Sequence, residues 1–484
     1  MHPDLSPDLC ARLREAFLTA GYTAAGVVDV LGAQAHAALG RGEPEPARRA
    51  SRDAGDLGTL IRLFLLGDTE PEPAVRAALG PVALADALAN EIVTPDGRAG
   101  LDIRPYQDDW WVVADLDSDQ RGAAVGEDHV LGVGHASVNL ARATARRPVG
   151  SLLDLGTGCG VQALHASTHA SRLTATDLSP RALALARGTF GLNELDVELL
   201  RGEWFDPVAG RRFDQVVCNP PFVVGPPRVD YVYRDSGLAG DGASALVVRR
   251  MPEHLTEGGV GQLLASWLHR RGEDWGERVA SWLPPGVDAW FVQRDVADPA
   301  LYVGTWLRDA GIDPRSAEGQ EKASAWLDWF AADAVEGVGF GYVTLRRTDE
   351  ADTEVVCEDL RHAYDDPLGP ETSRWLDNVA WLRAHGDELL ATRFTVPPTV
   401  VLEEVSAPGE DGWAAVVRRL HRTDGPGWQH EVDEATTRLL AGCRGALPLA
   451  DLLALLGLAY GEIDPASALS TVRDLVRHGM LAPA

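Results

Sequence analysis

From about residue 125 to residue 347, short apolar runs alternate with segments of helical period, and few folds accept that rhythm. Parallel strands need a crossover between them, usually a helix, so the alternation builds a sheet with helices on both faces. Strands are expected at Ser151–Leu155, Arg172–Thr176, Asp196–Leu200, Phe213–Cys218, Gly259–Ala265, Ala289–Gln293 and Gly339–Arg346. Helices are expected at Val161–Ala170, Pro180–Phe190, Gly242–His254, Trp275–Leu283, Ala300–Ala310 and Gly319–Ala332. The fold class read from this is α/β, a Rossmann-like, doubly wound sheet of seven strands.

At 484 residues the chain exceeds one ordinary domain. Three regions separate by pattern: 1–124, 125–349 and 350–484. The first reads as short helices at Asp8–Ala20, Ala25–Leu31, Leu57–Leu66, Glu72–Leu79 and Ala83–Asn90, where apolar residues recur at three and four positions. A β-ribbon is expected next, from Ile92 through Asp96-Gly97 to Pro105 and on to Trp110–Ala114. The last region opens on an acidic linker, Asp349–Glu354. Strand-like runs follow at Thr399–Val405 and Trp413–Arg419, then helices at Val432–Gly442, Leu449–Leu456 and Ala466–His478. Both ends resemble mainly helical, winged-helix-like modules. The N-terminal module is not basic, which favours a cap or scaffold over DNA reading.

The formal net charge is −28, and a surface that tracks phosphates needs a basic excess, so extensive nucleic-acid backbone binding is disfavoured. No apolar run approaches the ~20 residues of a membrane span. The first residues lack the basic and hydrophobic stretches of an export signal. The five cysteines (10, 159, 218, 357 and 443) are scattered without a Cys-x-x-Cys pair, which argues against disulfides or zinc and fits a reducing cytoplasm.

Two motifs stand out within the alternating region. In Asp154-Leu-Gly156-Thr157-Gly158-Cys-Gly160 a strand runs through a tight turn into a helix, and glycines there let the backbone approach a nucleotide-like ligand. The G-x-G-x-G spacing is one residue short of the dinucleotide fingerprint. Asp177 lies 21 residues past Gly156, where a carboxylate can accept both ribose hydroxyls; an acid opening the helix near Ser179-Pro180 would look the same. The second motif is Asn219-Pro220-Pro221-Phe222, at the carboxyl end of the strand Phe213–Cys218. An amide, two rigid prolines and a ring make a clamp for a flat nitrogen-bearing group; the alternative is a Pro-Pro turn closing a strand.

Together, residues 151–265 resemble the class I S-adenosylmethionine-dependent methyltransferases, in particular the small-domain group with an N-P-P-[FY] signature. That group includes HemK-like protein-glutamine methyltransferases and rRNA, tRNA and DNA amino-methylating enzymes. The resemblance implies S-adenosyl-L-methionine as cofactor and a sheet whose last strand runs antiparallel. It implies Asp154, Gly156, Thr157, Gly158 and Gly160 as the methionine-side loop, Asp177 with Leu178 at the ribose, and Glu203 with Trp204 near the adenine. Glu203 reads equally as a solvated loop acid. Asn219, Pro220, Pro221 and Phe222 become the catalytic clamp, with Asn219 also beside the cofactor. A planar nitrogen has a delocalised lone pair, and hydrogen bonds from its N–H groups to the Asn219 side-chain oxygen and the Pro220 carbonyl help to free it.

The expected activity is therefore N-methyl transfer to a planar amide or amino nitrogen of a protein, a nucleic-acid base or a small molecule. A NAD-dependent oxidoreductase using the glycine turn and a non-catalytic S-adenosylmethionine-sensing regulator are the alternatives. The sequence departs from the HemK pattern in two places: the ring is Phe222 rather than tyrosine, and the stretch before the glycine turn runs from Val125 and Glu127 through His129, Gly132 and His135 to Ser137. That stretch borders the ligands or forms a structural turn. Tyr231, Tyr233, Arg234 and Asp235 are candidates for the substrate entrance or a surface loop. Trp110-Trp111 reads as ribbon packing, and Cys218 as a buried thiol.

Overall fold

A computed structural model describes every residue except 1, 108–109, 118–125, 127, 228–235, 363–366, 411 and 462–463. The expected entrance residues Tyr231, Tyr233, Arg234 and Asp235, with Val125 and Glu127, lie outside the described residues. The chain divides into two compact units, residues 1–141 with 148–358 and residues 142–147 with 359–484.

The first unit opens with helices α1 (Pro7–Ala20), α2 (Ala24–Gly40), α3 (Glu45–Ala50), α4 (Gly55–Leu60), α5 (Glu72–Ala78) and α6 (Leu84–Ala89). Local signals set their ends: Ser6 and Thr23 cap α1 and α2 by accepting from Leu9 and Gly26 amides, and Gly21 closes α1 in a left-handed conformation. The break expected after Leu31 is present as non-helical backbone at Gly32, but the helix resumes beyond it to Gly40. The ribbon is antiparallel, β1 (Asp102–Tyr106) against β2 (Trp110–Ala114). The Asp96-Gly97 turn expected to join its strands closes only a single bridge, Val93 to Ala99.

The sheet follows: β3 (Leu152–Leu155), β4 (Leu173–Asp177), β5 (Val197–Arg201), β6 (Phe213–Cys218), β7 (Leu255–Arg270), β8 (Val287–Ala297) and β9 (Val335–Arg347). An eighth strand, β10 (Val355–Asp359), joins the edge from beyond the expected seven, so the acidic run at 349–354 is a short connection into the sheet. The order is β10-β8-β9-β7-β6-β3-β4-β5. Strands β3 to β7 pair in parallel, and β9 runs antiparallel between β7 and β8, the reversal expected of the last strand of the seven. Between strands stand α7 (His135–Ala143, ahead of β3), α8 (Val161–Ala166), α9 (Pro180–Leu192), α10 (Gly242–Arg250), α11 (Trp275–Ala280), α12 (Pro299–Asp309) and α13 (Ala317–Ala332).

From β3 the chain winds one way through β4 to β5 and then returns to β6 on the other side. The boundary between β3 and β6 is thus a topological switch point, where open α/β sheets leave a crevice at their carboxyl ends. Leu155 and Cys218 are register partners across it, so Gly156 and Asn219 leave the sheet side by side.

The helices α1–α6 and the ribbon are not a separate bead. Leu9, Leu13, Phe17, Phe64 and Trp111 share one core with Val161, Leu164, Leu185 and Leu192 of the helices beside the sheet. Trp110 and Trp111 are ribbon packing: Trp111 is buried and its indole donates to the Tyr22 carbonyl at 2.8 Å. No single helix among the described residues is long and apolar enough to cross a membrane.

In the second unit, Trp375, Leu376 and Val379 of α14 (Leu368–His385) are buried, as are Phe394, Leu449, Val472 and Leu475. The expected hairpin is present as β11 (Val400–Gly409) against β12 (Gly412–Arg422), and the three expected helices lie at Glu434–Gly442, Leu449–Tyr460 and Pro465–Arg477.

Candidate active site

The glycine turn is set by backbone geometry before any ligand is considered. Gly156, Gly158 and Gly160 have φ of 74°, 55° and 87°, the left-handed region that side chains resist. The Gly156 and Thr157 amides both donate to the Thr176 carbonyl, at 3.0 and 2.9 Å, which ties the turn to β4. A side chain at Gly156 or Gly158 would meet nothing within 4 Å, because the turn faces open space. Gly160 does a different job: a Cβ there would stand 2.8 Å from the Phe190 ring, so it is the point where α8 and α9 pack closely.

Two carboxylates hold this turn. Asp154 is fully buried, and its Oδ2 accepts from Thr157 Oγ1 at 2.7 Å and from the Ala163 amide at 3.0 Å. Its Oδ1 is buried without a partner. Burial pushes its carboxyl up to about 6, against the pull of those two hydrogen bonds. Asp177 accepts from the Gly158 amide at 2.9 Å and from the Ser179 amide at 2.8 Å, and burial raises its carboxyl as well. Asp177 therefore braces the start of α9, as the helix-opening reading has it, and its second amide bond sets it beside the glycine turn.

Asn219 to Phe222 leave β6 on the opposite side of the crevice. The Asn219 Oδ1 is buried with no hydrogen-bond partner. The chain beyond it is pinned: the Val224 amide donates to the Tyr302 hydroxyl at 2.7 Å, and Trp326 Nε1 donates to the Val224 carbonyl at 3.1 Å. Gly225 is close enough to Trp326 that a Cβ would lie 2.9 Å from the indole. Phe222 sits edge-on to Trp306 (centroids 6.3 Å apart) and is tilted against Phe340 at 5.2 Å.

These segments line one cavity of about 450 Å³. Of the expected residues, Gly156, Thr157, Gly158, Asp177, Leu178, Glu203, Trp204, Asn219, Pro220, Pro221 and Phe222 are on its wall. Asp154 and Gly160 are not; they stand behind the turn and shape it. Leu178 is half exposed, an apolar side chain left open at the mouth. Trp204 has a φ of 47°, a strained conformation for a bulky residue, and turns the chain along the cavity next to exposed Glu203.

The stretch before the glycine turn borders the cavity through Asp128 to Ser137. Sequence reading missed the far wall, Trp306 and Asp309 of α12. Their signal is present: Tyr302, Trp306 and Asp309 fall at i, i+4 and i+7, one face of a helix. Without the fold, that face reads as core. Cys218 is buried behind the clamp, which holds its thiol well above the ordinary range and leaves it inert. Among the described residues no group of three or more His, Cys, Asp or Glu is arranged for a metal.

Residues 132–235 match the family described as methyltransferase small domain. Two further matches flank it, each to a domain of unknown function: DUF7059 over residues 19–104 and DUF7782 over residues 373–483. The chain is similar to a ribosomal protein uL3 glutamine methyltransferase of Bradyrhizobium diazoefficiens, 34% identical over 146 residues, covering 28% of this chain and 45% of that one. It is also similar to a ribosomal RNA small subunit methyltransferase C of Salmonella arizonae, 31% identical over 119 residues, with 24% and 31% covered. A release factor glutamine methyltransferase of Deinococcus radiodurans is 39% identical over 97 residues, with 20% and 34% covered. The chain thus spans less than half the length of these curated relatives. Among solved structures, a T. thermophilus 16S rRNA N2 methyltransferase in complex with AdoMet and guanosine aligns at 18% identity and a TM-score of 0.26, covering 36% of this chain and 42% of that one. Residues 132–235, which carry the glycine turn, Asp177 and the Asn219 clamp, are a small-domain methyltransferase module of the HemK-like class I group.

Proposed function

We propose that this chain is an S-adenosylmethionine-dependent N-methyltransferase acting on a planar amide or amino nitrogen. Asn219 carries the reading: its Oδ1 is a buried acceptor without a donor, on the wall of the cavity that the glycine turn also lines. Such an orphan costs about 1–3 kcal/mol, and an entering N–H group removes that cost.

The cavity suits the cofactor in charge as well as shape. Its described wall holds four carboxylates, Asp128, Asp177, Glu203 and Asp309, and no lysine or arginine. A cationic sulfonium and ammonium are favoured there, and the pyrophosphate of NAD is opposed. S-adenosylmethionine supplies a methyl group made electrophilic by its sulfonium. Gly156 and Gly158 allow backbone approach on the methionine side, with Thr157 between them, while Asp154 and Gly160 fix the turn from behind. Asp177 keeps lone pairs for ribose hydroxyls after serving its two amides. Leu178 and Trp204 offer apolar surface and Glu203 a carboxylate to an adenine. At the clamp, the Asn219 Oδ1 and the Pro220 carbonyl accept the N–H groups and draw the nitrogen out of conjugation. Pro221 stiffens the turn and Phe222 flanks the flat group. No strong base is required, since the nitrogen becomes acidic as it alkylates and water can take its proton.

The similar proteins act, by their names, on glutamine in ribosomal protein uL3 and release factors and on ribosomal RNA. A macromolecular acceptor in the cytoplasm is the corresponding reading here. Residues 1–124 would serve as scaffold for the catalytic region 125–349, and residues 350–484 as a cap that helps choose the acceptor. Calorimetry with S-adenosylmethionine and with NAD tests the cofactor, and labelled-methyl transfer to ribosomal subunits, release factors and tRNA tests the activity. Absence of S-adenosylmethionine binding overturns the reading; full activity in Asn219→Ala overturns the clamp alone.

A further inference from the structure

In the second unit, the helix Leu449–Tyr460 has the composition of a core helix and a surface position. Its only charged side chain is Asp451. Leu449, Leu452 and Leu456 are buried, and the helix packs against the helix Glu434–Gly442 and the strand Arg444–Pro448. The opposite face is open: Leu455 is 55% exposed and Leu458 87%. Asp451, Leu455 and Leu458 fall at i, i+4 and i+7 and form a ridge. Ala450, Ala454 and Gly457 repeat that spacing one residue earlier and form a shallow groove beside it. A ridge next to a groove at helical spacing is the surface on which another helix packs.

Gly457 is a second, independent sign of a close neighbour. Glycine inside a helix is less favourable than alanine, so it needs a reason. Neither the backbone nor the packing of this chain supplies one. Its φ is not in the left-handed region, and a Cβ there would meet nothing within 4 Å. The groove is therefore kept clear over space that this chain does not fill.

Charge selects what fills it. Exposed Asp387 and Glu388 precede Leu390, whose carbonyl accepts from the Ala450 amide at 2.8 Å, so both lie near the start of the open face. Asp451 stands on the ridge itself. At the far end Tyr460 Oη donates to Glu434 at 3.0 Å, and Arg438, 3.7 Å from the same carboxylate, is the cation there. A second copy fits poorly. Parallel pairing would set Asp451 against Asp451, and antiparallel pairing would set it at the negative end of the other helix. Each copy also carries a net charge of −28.

We propose that this open face docks an amphipathic helix of a basic protein, with apolar side chains over Leu455 and Leu458 and a lysine or arginine against Asp451. The inference is independent of the chemistry assigned to the cavity, and its test needs no cofactor.

The test uses the full chain and three labelled synthetic peptides of equal length, read by fluorescence anisotropy. One has leucines at helical spacing among lysines, one has glutamates in place of the lysines, and one has serines in place of the leucines. The Leu/Lys peptide is expected to bind at least tenfold more tightly than either control. Leu455→Ser and Leu458→Ser should each weaken it about tenfold with the unfolding midpoint unchanged. Leu18→Ser, at an exposed leucine of the first unit, should leave binding as it is. Asp451→Asn should weaken it severalfold and reduce its salt dependence. Gly457→Ala should raise the unfolding midpoint yet weaken the peptide, a pair of signs that a purely structural glycine would not give. Sedimentation should find the same monomer for the wild type and Leu458→Ser. No binding of the Leu/Lys peptide, equal binding of the Leu/Glu peptide, or binding that survives both leucine substitutions overturns the proposal. So does a dimer that Leu458→Ser dissolves, which assigns the face to a second copy. Binding to phosphatidylcholine–phosphatidylglycerol vesicles that Leu458→Ser abolishes overturns it as well, in favour of a lipid surface.

Discussion

Asp154 stands where its surroundings least favour a charged carboxylate. Burial raises its carboxyl to about 6 from an ordinary 3.8, so the folded protein holds that proton more tightly than the unfolded chain does. A raised acid contributes stability below its unfolded value, and that contribution is lost as pH climbs through the folded one. Between about pH 4 and pH 6 the loss amounts to as much as ~3 kcal/mol. Asp154→Asn keeps an oxygen for Thr157 and Ala163 and removes the titration. Denaturant unfolding should show the variant gaining on the wild type from pH 4.5 to pH 7; parallel curves would mean that Asp154 is not the group responsible. Gly160 gives a second prediction. Both its φ of 87° and the Phe190 ring 2.8 Å from a Cβ oppose any side chain, so Gly160→Ala should lower stability by about 1–3 kcal/mol in the same measurement. The sequence motif marks Gly156, Gly158 and Gly160 alike. Only the neighbour across space separates the two that border the cavity from the one that packs a helix.

Among the elements, α9 does most to join the N-terminal helices to the cavity. Ser179 and Pro180 start it by ordinary capping chemistry, and this much was legible. Its use of Arg181 was not. The guanidinium bonds to both oxygens of Asp115, just past the ribbon, and Asp115 also accepts from the Val130 amide at 2.9 Å. Asp115 and Arg181 lie 66 residues apart, and no local pattern links them. One buried carboxylate therefore holds the ribbon, α9 and the cavity-lining loop at 128–132. Asp115→Ala leaves Arg181 with only half-exposed Glu91, and should cost about 3 kcal/mol, read as a fall in unfolding midpoint. A change below about 1 kcal/mol would show that the core shared by these elements fixes the loop without the ion pair. Sheet strands were readable because their apolar runs are flanked by turn residues. Helix α14 was not, although Leu368, Thr372, Trp375, Leu376, Val379 and Leu382 are buried at helical spacing. Gly369 and Pro370 near its start look like a loop until they are placed in a first turn, where proline is tolerated. Eighth strand β10 was hidden for a related reason: a half-exposed edge strand has weak alternation.

At the scale of the molecule, the chain divides into two compact units, and each offers a group through which it can be perturbed. In the second unit Arg422 is fully buried and bonds Glu371 through both terminal nitrogens, at 2.9 and 3.0 Å, and Asp424 through Nε at 2.9 Å. Glu371→Gln removes a charge from this pair while keeping its shape, and should cost about 3 kcal/mol. Chains with more than one core commonly unfold in more than one step. Scanning calorimetry should therefore show two heat-absorption components. S-adenosylhomocysteine at one hundred times its Kd should raise the component of the first unit, by about 2.7 kcal/mol of stability. Glu371→Gln should lower only the other, since Glu371 and all its partners lie in residues 359–484. If both changes move one shared transition, the units fold as a single cooperative body, and the second unit, residues 359–484, could not adjust to an acceptor on its own. Two independent transitions leave it free to do so.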